Sequence, residues 1–306
     1  MTWIPIVVGA VLFIIIFALV FFYRMAFVRG KTSDITALAP KTEEYVGYFK
    51  KINEGVEWFN AQPKRDVYIT SYDGLKLHAT VLTLCENADK TILLFHGYRS
   101  IAKNDFSCAI SMYSSFNMNI ILIDQRAHGL SEGKVISYGV KERFDARDWV
   151  EFAKKEFPGT KIYMSGLSMG AATVMMSSDI VEGVSGIVAD CGFTSPKEII
   201  QRVAKEDMHL PKWLVVPVGF MARIFGKFDY SYSTKTSLAK TSVPIMFIHG
   251  GKDAFVPCYM TGENFEVCAS KKKKVVVPEA THGFSYLVDP DTVTEALKSF
   301  ILGNED

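Results

Sequence analysis

Apolar residues fill the start of the chain without a break and then recur in two alternating rhythms. Residues 3–23 (WIPIVVGAVLFIIIFALVFFY) carry no formal charge. A helix of that length, at ~1.5 Å per residue, spans roughly 30 Å, the hydrocarbon thickness of a bilayer. Trp3 and Tyr23 stand at its two ends, where amphipathic rings favour the interface. The pattern predicts a transmembrane anchor over residues 1–23. A secretory signal peptide fits less well, because no Lys or Arg precedes the run, the run is long, and no small-residue cleavage site follows. Arg24, Arg29 and Lys31 come after it. The positive-inside rule therefore leans the rest of this single-pass protein towards the cytoplasm.

Residues 30–40 are polar and read as a linker. In residues 42–60, Tyr45, Val46, Phe49, Ile52, Val56 and Phe59 recur at three- and four-residue steps, one stripe of an amphipathic helix. Its polar face is not strongly basic, so the helix is expected to pack on the domain's own core and not on a bilayer surface. Residues 24–65 are thus assigned to a linker and this helix.

The rhythm then changes. Residues 66–70 and 75–84 flank an Asp73-Gly74 turn and read as an antiparallel hairpin. Short, continuous apolar runs follow at 91–95 (TILLF), 119–124, 161–165, 186–190, 244–249 and 274–277. Such runs imply a sheet buried on both faces. Helical patterns lie between most of them, at 103–115, 140–157, 169–180, 259–269 and 291–302. This is the punctuation of an α/β fold with a mostly parallel sheet flanked by helices. Residues 194–241 break the alternation and hold no convincing strand. They read as a helical cap insertion that divides the core into residues 66–193 and 242–306.

Composition narrows the function classes. The 306 residues carry a net charge of only +1, which gives no electrostatic case for a nucleic-acid partner. A charged fraction of 22% beside 49% hydrophobic residues excludes wholesale disorder. The five cysteines, Cys85, Cys108, Cys191, Cys258 and Cys268, form no C-x-x-C pair, so neither zinc-site spacing nor a disulfide framework is present.

The chemistry is expected just beyond the carboxyl ends of the strands. After residues 161–165 comes Gly166-Leu167-Ser168-Met169-Gly170, a G-x-S-x-G between a strand and a helix. That context is what a nucleophile elbow needs: a tight turn holds the serine oxygen clear of the sheet, and glycines let the backbone pass. The helix start then offers the Met169 N–H to a developing oxyanion. A serine hydroxyl needs a base to take its proton. Of six histidines, His282 alone lies in a loop after the last strand, as the chain order Ser, acid, His demands. Asp253, after the 244–249 strand, is the expected acid, with Asp190 as its rival. In His96-Gly97-Tyr98 the N–H of Tyr98 is the second expected oxyanion donor.

Taken together these residues resemble the α/β-hydrolase superfamily, and specifically its lidded serine hydrolases: monoglyceride lipases, bacterial carboxylesterases and serine-aminopeptidase-like proteins. The motifs that carry the resemblance are His96-Gly97-Tyr98, Asp124-Gln125-Arg126-Ala127-His128-Gly129-Leu130-Ser131, the elbow at Ser168, Gly250-Gly251-Lys252-Asp253 and His282-Gly283. The chain has Ala127 where related sequences usually carry glycine, lacks the lipase-type H-G-G-G, and has Leu167 before the nucleophile. In relatives the Arg126–Gly129 region shapes the ground under the site, so His128 reads as structural. By resemblance to the family's cap, Trp213, Phe220, Met221 and Phe225 are expected to wall an acyl pocket. The basic run Lys271 to Lys274 reads as a solvated turn.

The reading that follows is a membrane-anchored serine hydrolase acting on small-molecule carboxylic esters, acyl or lipid-like, through an acyl-enzyme. That route requires no cofactor and no metal. Peptidase or thioesterase chemistry would use the same residues. The reading from another class is a non-catalytic binding module on a hydrolase scaffold.

Overall fold

The hairpin and the buried runs join one sheet. The computed structural model describes residues 3–30 and 43–303. Its eight strands are β1 (Arg65–Thr70), β2 (Lys76–Leu82), β3 (Lys90–Phe95), β4 (Met118–Ile123), β5 (Lys161–Leu167), β6 (Val184–Asp190), β7 (Ile245–Gly250) and β8 (Lys272–Val277), in the order β1-β2-β4-β3-β5-β6-β7-β8. Strand β2 runs antiparallel to both its neighbours, and all later pairs are parallel. Every residue of β3, β4 and β7 is buried, because helices cover both faces of the sheet.

The helices are α1 (Trp3–Phe27), α2 (Glu43–Ala61), α3 (Ala102–Phe106), α4 (Ile110–Ser115), α5 (Glu142–Glu156), α6 (Met169–Ser177), α7 (Pro196–Arg202), α8 (Lys212–Met221), α9 (Thr234–Leu238), α10 (Cys258–Val267), α11 (Ser285–Val288) and α12 (Pro290–Leu302). Helices α5 and α6 fill one face of the sheet, around the fully buried Trp149. Helices α3, α4 and α12 fill the other, with Phe59 of α2 in the same cluster. Among the described residues of the α2 stripe Ile52 and Phe59 are buried, so this helix is part of the core.

Three elements differ from the sequence pattern. The single helix read at 103–115 breaks into α3 and α4. Strand β8 starts at Lys272, so most of the lysine run lies in an edge strand, where exposed charge opposes further pairing. Helix α1 continues past Tyr23 to Phe27, and residues 28–30 do not behave as a linker. Val28 pairs with Val135, the Arg29 N–H donates to the Lys134 carbonyl, and the Arg29 guanidinium donates to the carbonyls of Ser131 and Gly129 at 2.6 Å each. The rest of the expected linker lies outside the described residues.

The segment between β6 and β7 is helical, as the pattern predicts. It holds α7, α8 and α9, with π-helical turns at Val203–Asp207 and Ala222–Gly226. Ser195 caps α7 by accepting from the Glu198 N–H, with Pro196 at the first helical position. The apolar part of this cap packs on α1. The Tyr23 and Phe225 rings lie 6.0 Å apart, and Phe27 is enclosed by Tyr138, Phe228 and Tyr230.

Candidate active site

Strand β5 ends at Leu167, and α6 begins at Met169, so Ser168 alone makes the turn. Its φ of 55° and ψ of −111° lie in a sparsely populated region, where a residue with a Cβ costs about 1–3 kcal/mol. The flanking glycines are obligatory. A Cβ on Gly170 would come within 1.8 Å of the Phe95 carbonyl oxygen, and one on Gly166 within 2.2 Å of the Gly170 oxygen. The Ser168 N–H donates to the Asp190 carbonyl at 2.8 Å, tying the turn to β6.

The elbow, the loop after β7 and the loop after β8 bring three side chains into one hydrogen-bonded chain. The Ser168 hydroxyl lies 2.9 Å from His282 Nε2, and His282 Nδ1 lies 2.7 Å from Asp253 Oδ2. The other oxygen, Oδ1, accepts from the N–H groups of Phe255 and Val256 at 2.9 and 2.8 Å. Burial alone would raise the Asp253 carboxyl, but the hydrogen bonds from His249 and His282 hold it well below the usual carboxylate range. An ionised Asp253 fixes the Nδ1–H tautomer of His282 and leaves Nε2 free to accept a proton. The rival acid, Asp190, does not take that place. Its backbone carbonyl supports the Ser168 turn, and burial pushes its carboxyl up to about 6.

Tyr98 and Met169 flank the serine. Tyr98 lies in the loop after β3, and among the described residues its N–H meets no acceptor. Met169 is the first residue of α6, where an N–H has no partner within the helix. Gly97 passes close to Ser168: a Cβ built there would sit 3.6 Å from Ser168 Cβ. Both amides therefore have the setting of oxyanion donors.

Several supports were not legible from sequence. Asp105 accepts from the Gly97 N–H at 2.7 Å and from the Ser100 hydroxyl at 2.5 Å, which folds the loop after β3 back on itself. Burial pushes the Asp105 carboxyl up to about 6, against those two hydrogen bonds. His128 accepts the Arg99 N–H on Nε2 at 3.0 Å, which gives its expected structural role a definite target. His249 is buried against Asp253 at 3.2 Å and also meets the Val256 carbonyl and Thr261 Oγ1. Its only sequence signal was its position at a strand end, four residues before the acid.

A cavity of about 680 Å³ opens on Ser168 and His282. Ile52, Phe106, Met112, Leu167, Val188, Ile248, Val293 and Leu297 give it an apolar wall, and Tyr113 and Ser165, 3.2 Å apart, add a polar spot. This corrects the expectation for the cap. Among the described residues none from the cap lines the cavity, and the Trp213 side chain lies outside them. Phe220 and Phe225 are 65% and 62% exposed, and Met221 packs in the cluster that holds Tyr23 and Phe27. Val218, Ala222, Phe228 and Tyr230 of the cap cluster with Tyr23 and Phe27 of α1, while α2 to α4 and α12 already enclose the cavity.

A metal has poor footing here. Cys191, Asp253 and His282 bring ligand atoms within 4.8 Å of one another, but Asp253 and His282 are bonded to each other, and burial pushes the Cys191 thiol well above its usual range.

The sheet order, the helical insertion after β6 and the strand–serine–helix elbow define an α/β-hydrolase fold. More narrowly, residues 86–228 match the family model described as "Serine aminopeptidase, S33". An uncharacterized protein of Bacillus subtilis, YqkD, is 26% identical over 69% of this chain and 70% of its own. Protein bem46 of Schizosaccharomyces pombe is 27% identical over 76% of this chain and 74% of its own. Among solved structures, an esterase of Pyrococcus furiosus superposes with a TM-score of 0.66 at 25% identity, covering 79% of this chain and 91% of that one.

Proposed function

We propose that the protein is a membrane-anchored serine hydrolase that cleaves carboxylic esters with an apolar acyl group. The observation that carries this reading is His282 bridging Ser168 and Asp253 at the mouth of an apolar cavity. In the proposed mechanism Ser168 attacks the ester carbonyl as His282 Nε2 takes its proton. The N–H groups of Tyr98 and Met169 receive the oxyanion. His282 then protonates the leaving alcohol, and water releases the acid by the same steps in reverse roles. The esterase among the structural neighbours supports the ester substrate.

Membrane attachment is supported by α1, which is long and apolar enough to span a bilayer. Val216, Phe220, Ile224 and Phe225 of the cap stand exposed beside it and widen the apolar surface offered to lipid. The test is a p-nitrophenyl ester series of increasing chain length, run beside thioester and peptide substrates on the full chain in detergent. Turnover of medium or long esters, lost in Ser168→Ala together with fluorophosphonate labelling, is the expected result. Ester hydrolysis that survives in Ser168→Ala would overturn the assignment, and preference for a thioester or peptide would move the substrate class.

A further inference from the structure

The end of α1 does more than leave the bilayer. It meets the loop that carries the Tyr98 amide. The Tyr98 hydroxyl donates to the carbonyls of Met25 and Ala26 at 2.8 and 3.0 Å. The Arg99 guanidinium donates to the Met25 carbonyl at 2.8 Å and lies at 3.4 Å from that of Val28, packed against Gly30. Tyr138, stacked on Tyr98 with ring centres 5.0 Å apart, donates to Ala26 at 3.1 Å. The Met25 and Ala26 carbonyls belong to the last helical turn and have no partners within the helix, the Val28 carbonyl follows just beyond it, and a guanidinium is the complement to that end of the dipole.

The backbone of the loop depends on this contact. Arg99 has φ 55°, a conformation that a residue with a side chain holds only when its surroundings enforce it. Two groups enforce it here: His128, which accepts the Arg99 N–H, and the α1 carbonyls, which accept from its side chain. The peptide joining Tyr98 to Arg99 is therefore fixed from the α1 side, and only the Tyr98 Cα separates it from the Tyr98 N–H.

We infer that Arg99 is a positioning residue that uses the last turn of α1 to aim the Tyr98 amide at the oxyanion, so that the membrane helix is a working part of the active site. This rests on the serine-hydrolase reading above. Oxyanion donors act on the transition state more than on bound substrate, so a misaimed amide lowers kcat with little change in KM.

The experiment uses the full chain in detergent micelles, with Arg99→Met, Arg99→Lys and Tyr98→Phe beside wild type and a p-nitrophenyl ester as substrate. Arg99→Met should lower kcat at least tenfold, with KM within twofold and a cooperative melting transition retained. Arg99→Lys, which still offers a cation to the helix end, should recover part of the loss. Tyr98→Phe keeps the ring and the amide, and should cost a few-fold in kcat. Arg99→Met with kcat within twofold of wild type would overturn the inference, as would Arg99→Lys no better than Arg99→Met. Hydrogen exchange gives a readout independent of turnover. Residues 97–100 should exchange faster in Arg99→Met than in wild type, and equal rates would overturn the inference. Should wild type itself turn over no ester, the hydrolase reading fails, and the exchange comparison alone decides whether α1 orders the loop.

Discussion

Asp105 and Asp253 are both acids near the same imidazole, and their surroundings push them in opposite directions. Asp253 collects four donors around its two oxygens and stays ionised. Asp105 has two, in a setting dry enough to raise it to about 6. The sign for stability follows. Below its ordinary value of 3.8, Asp105 is protonated in both folded and unfolded chains and contributes nothing. Between 3.8 and about 6 the unfolded chain ionises first, so wild type loses stability as pH rises, and above about 6 the loss is complete. Asp105→Asn does not titrate. Its unfolding free energy by urea denaturation should gain on wild type across that window, by up to roughly 3 kcal/mol, and stay level above it. A difference independent of pH would refute the assignment. At this scale the sequence was most legible for residues with an obligatory position, namely Ser168 between its glycines, Asp253 and His282. Asp105 and His249 were not legible, because a buried acid or histidine acting through a neighbour leaves no spacing signature.

Among the elements, α1 departs most from its sequence reading. Arg24 breaks the uncharged run, and hydropathy alone therefore stops the span at Tyr23. The helix continues because its last turn is covered by the domain: Phe27 is fully buried between Tyr138, Phe228 and Tyr230. Periodicity cannot report a contact with residues 111 to 203 positions away. Phe27→Ala should cost about 3–5 kcal/mol, the usual price of emptying a buried aromatic site, and should lower the melting temperature of the full chain in detergent. A melting temperature within 1–2 °C of wild type, given the roughly 2–4 °C per kcal/mol of a chain this long, would show that the contact is not formed. The lysine run of β8 hides its strand for a related reason. Charges at an edge strand mask its pairing potential, and the apolar pattern begins only where β8 turns inward at Val275. The inner strands, apolar on both faces, were legible to within about two residues.

For the whole molecule, the sequence divides into anchor, linker, core and cap, whereas the structure joins the anchor to the cap and to the loop beside Ser168. The apolar residues of the cap were assigned to the substrate cavity because the family's cap usually lies there. Here α2, α3, α4 and α12 line the cavity, and the cap turns to α1. Removing residues 1–30 should accordingly yield a chain that aggregates or melts well below the full protein, since the partners of Tyr23 and Phe27 and the polar tips of Tyr98 and Arg99 all lose their contacts. Size-exclusion chromatography and thermal denaturation check this, and a monodisperse truncated domain with unchanged melting would count against it. The burial of Phe27 carries a consequence for how such a protein is handled in a cell. A hydrolase held to the membrane by a loose tether can be shed by a protease as a free, active fragment. If α1 anchors the chain as proposed, a cut at the membrane surface that takes its last turn away would also take part of the core, so release and inactivation would be a single event.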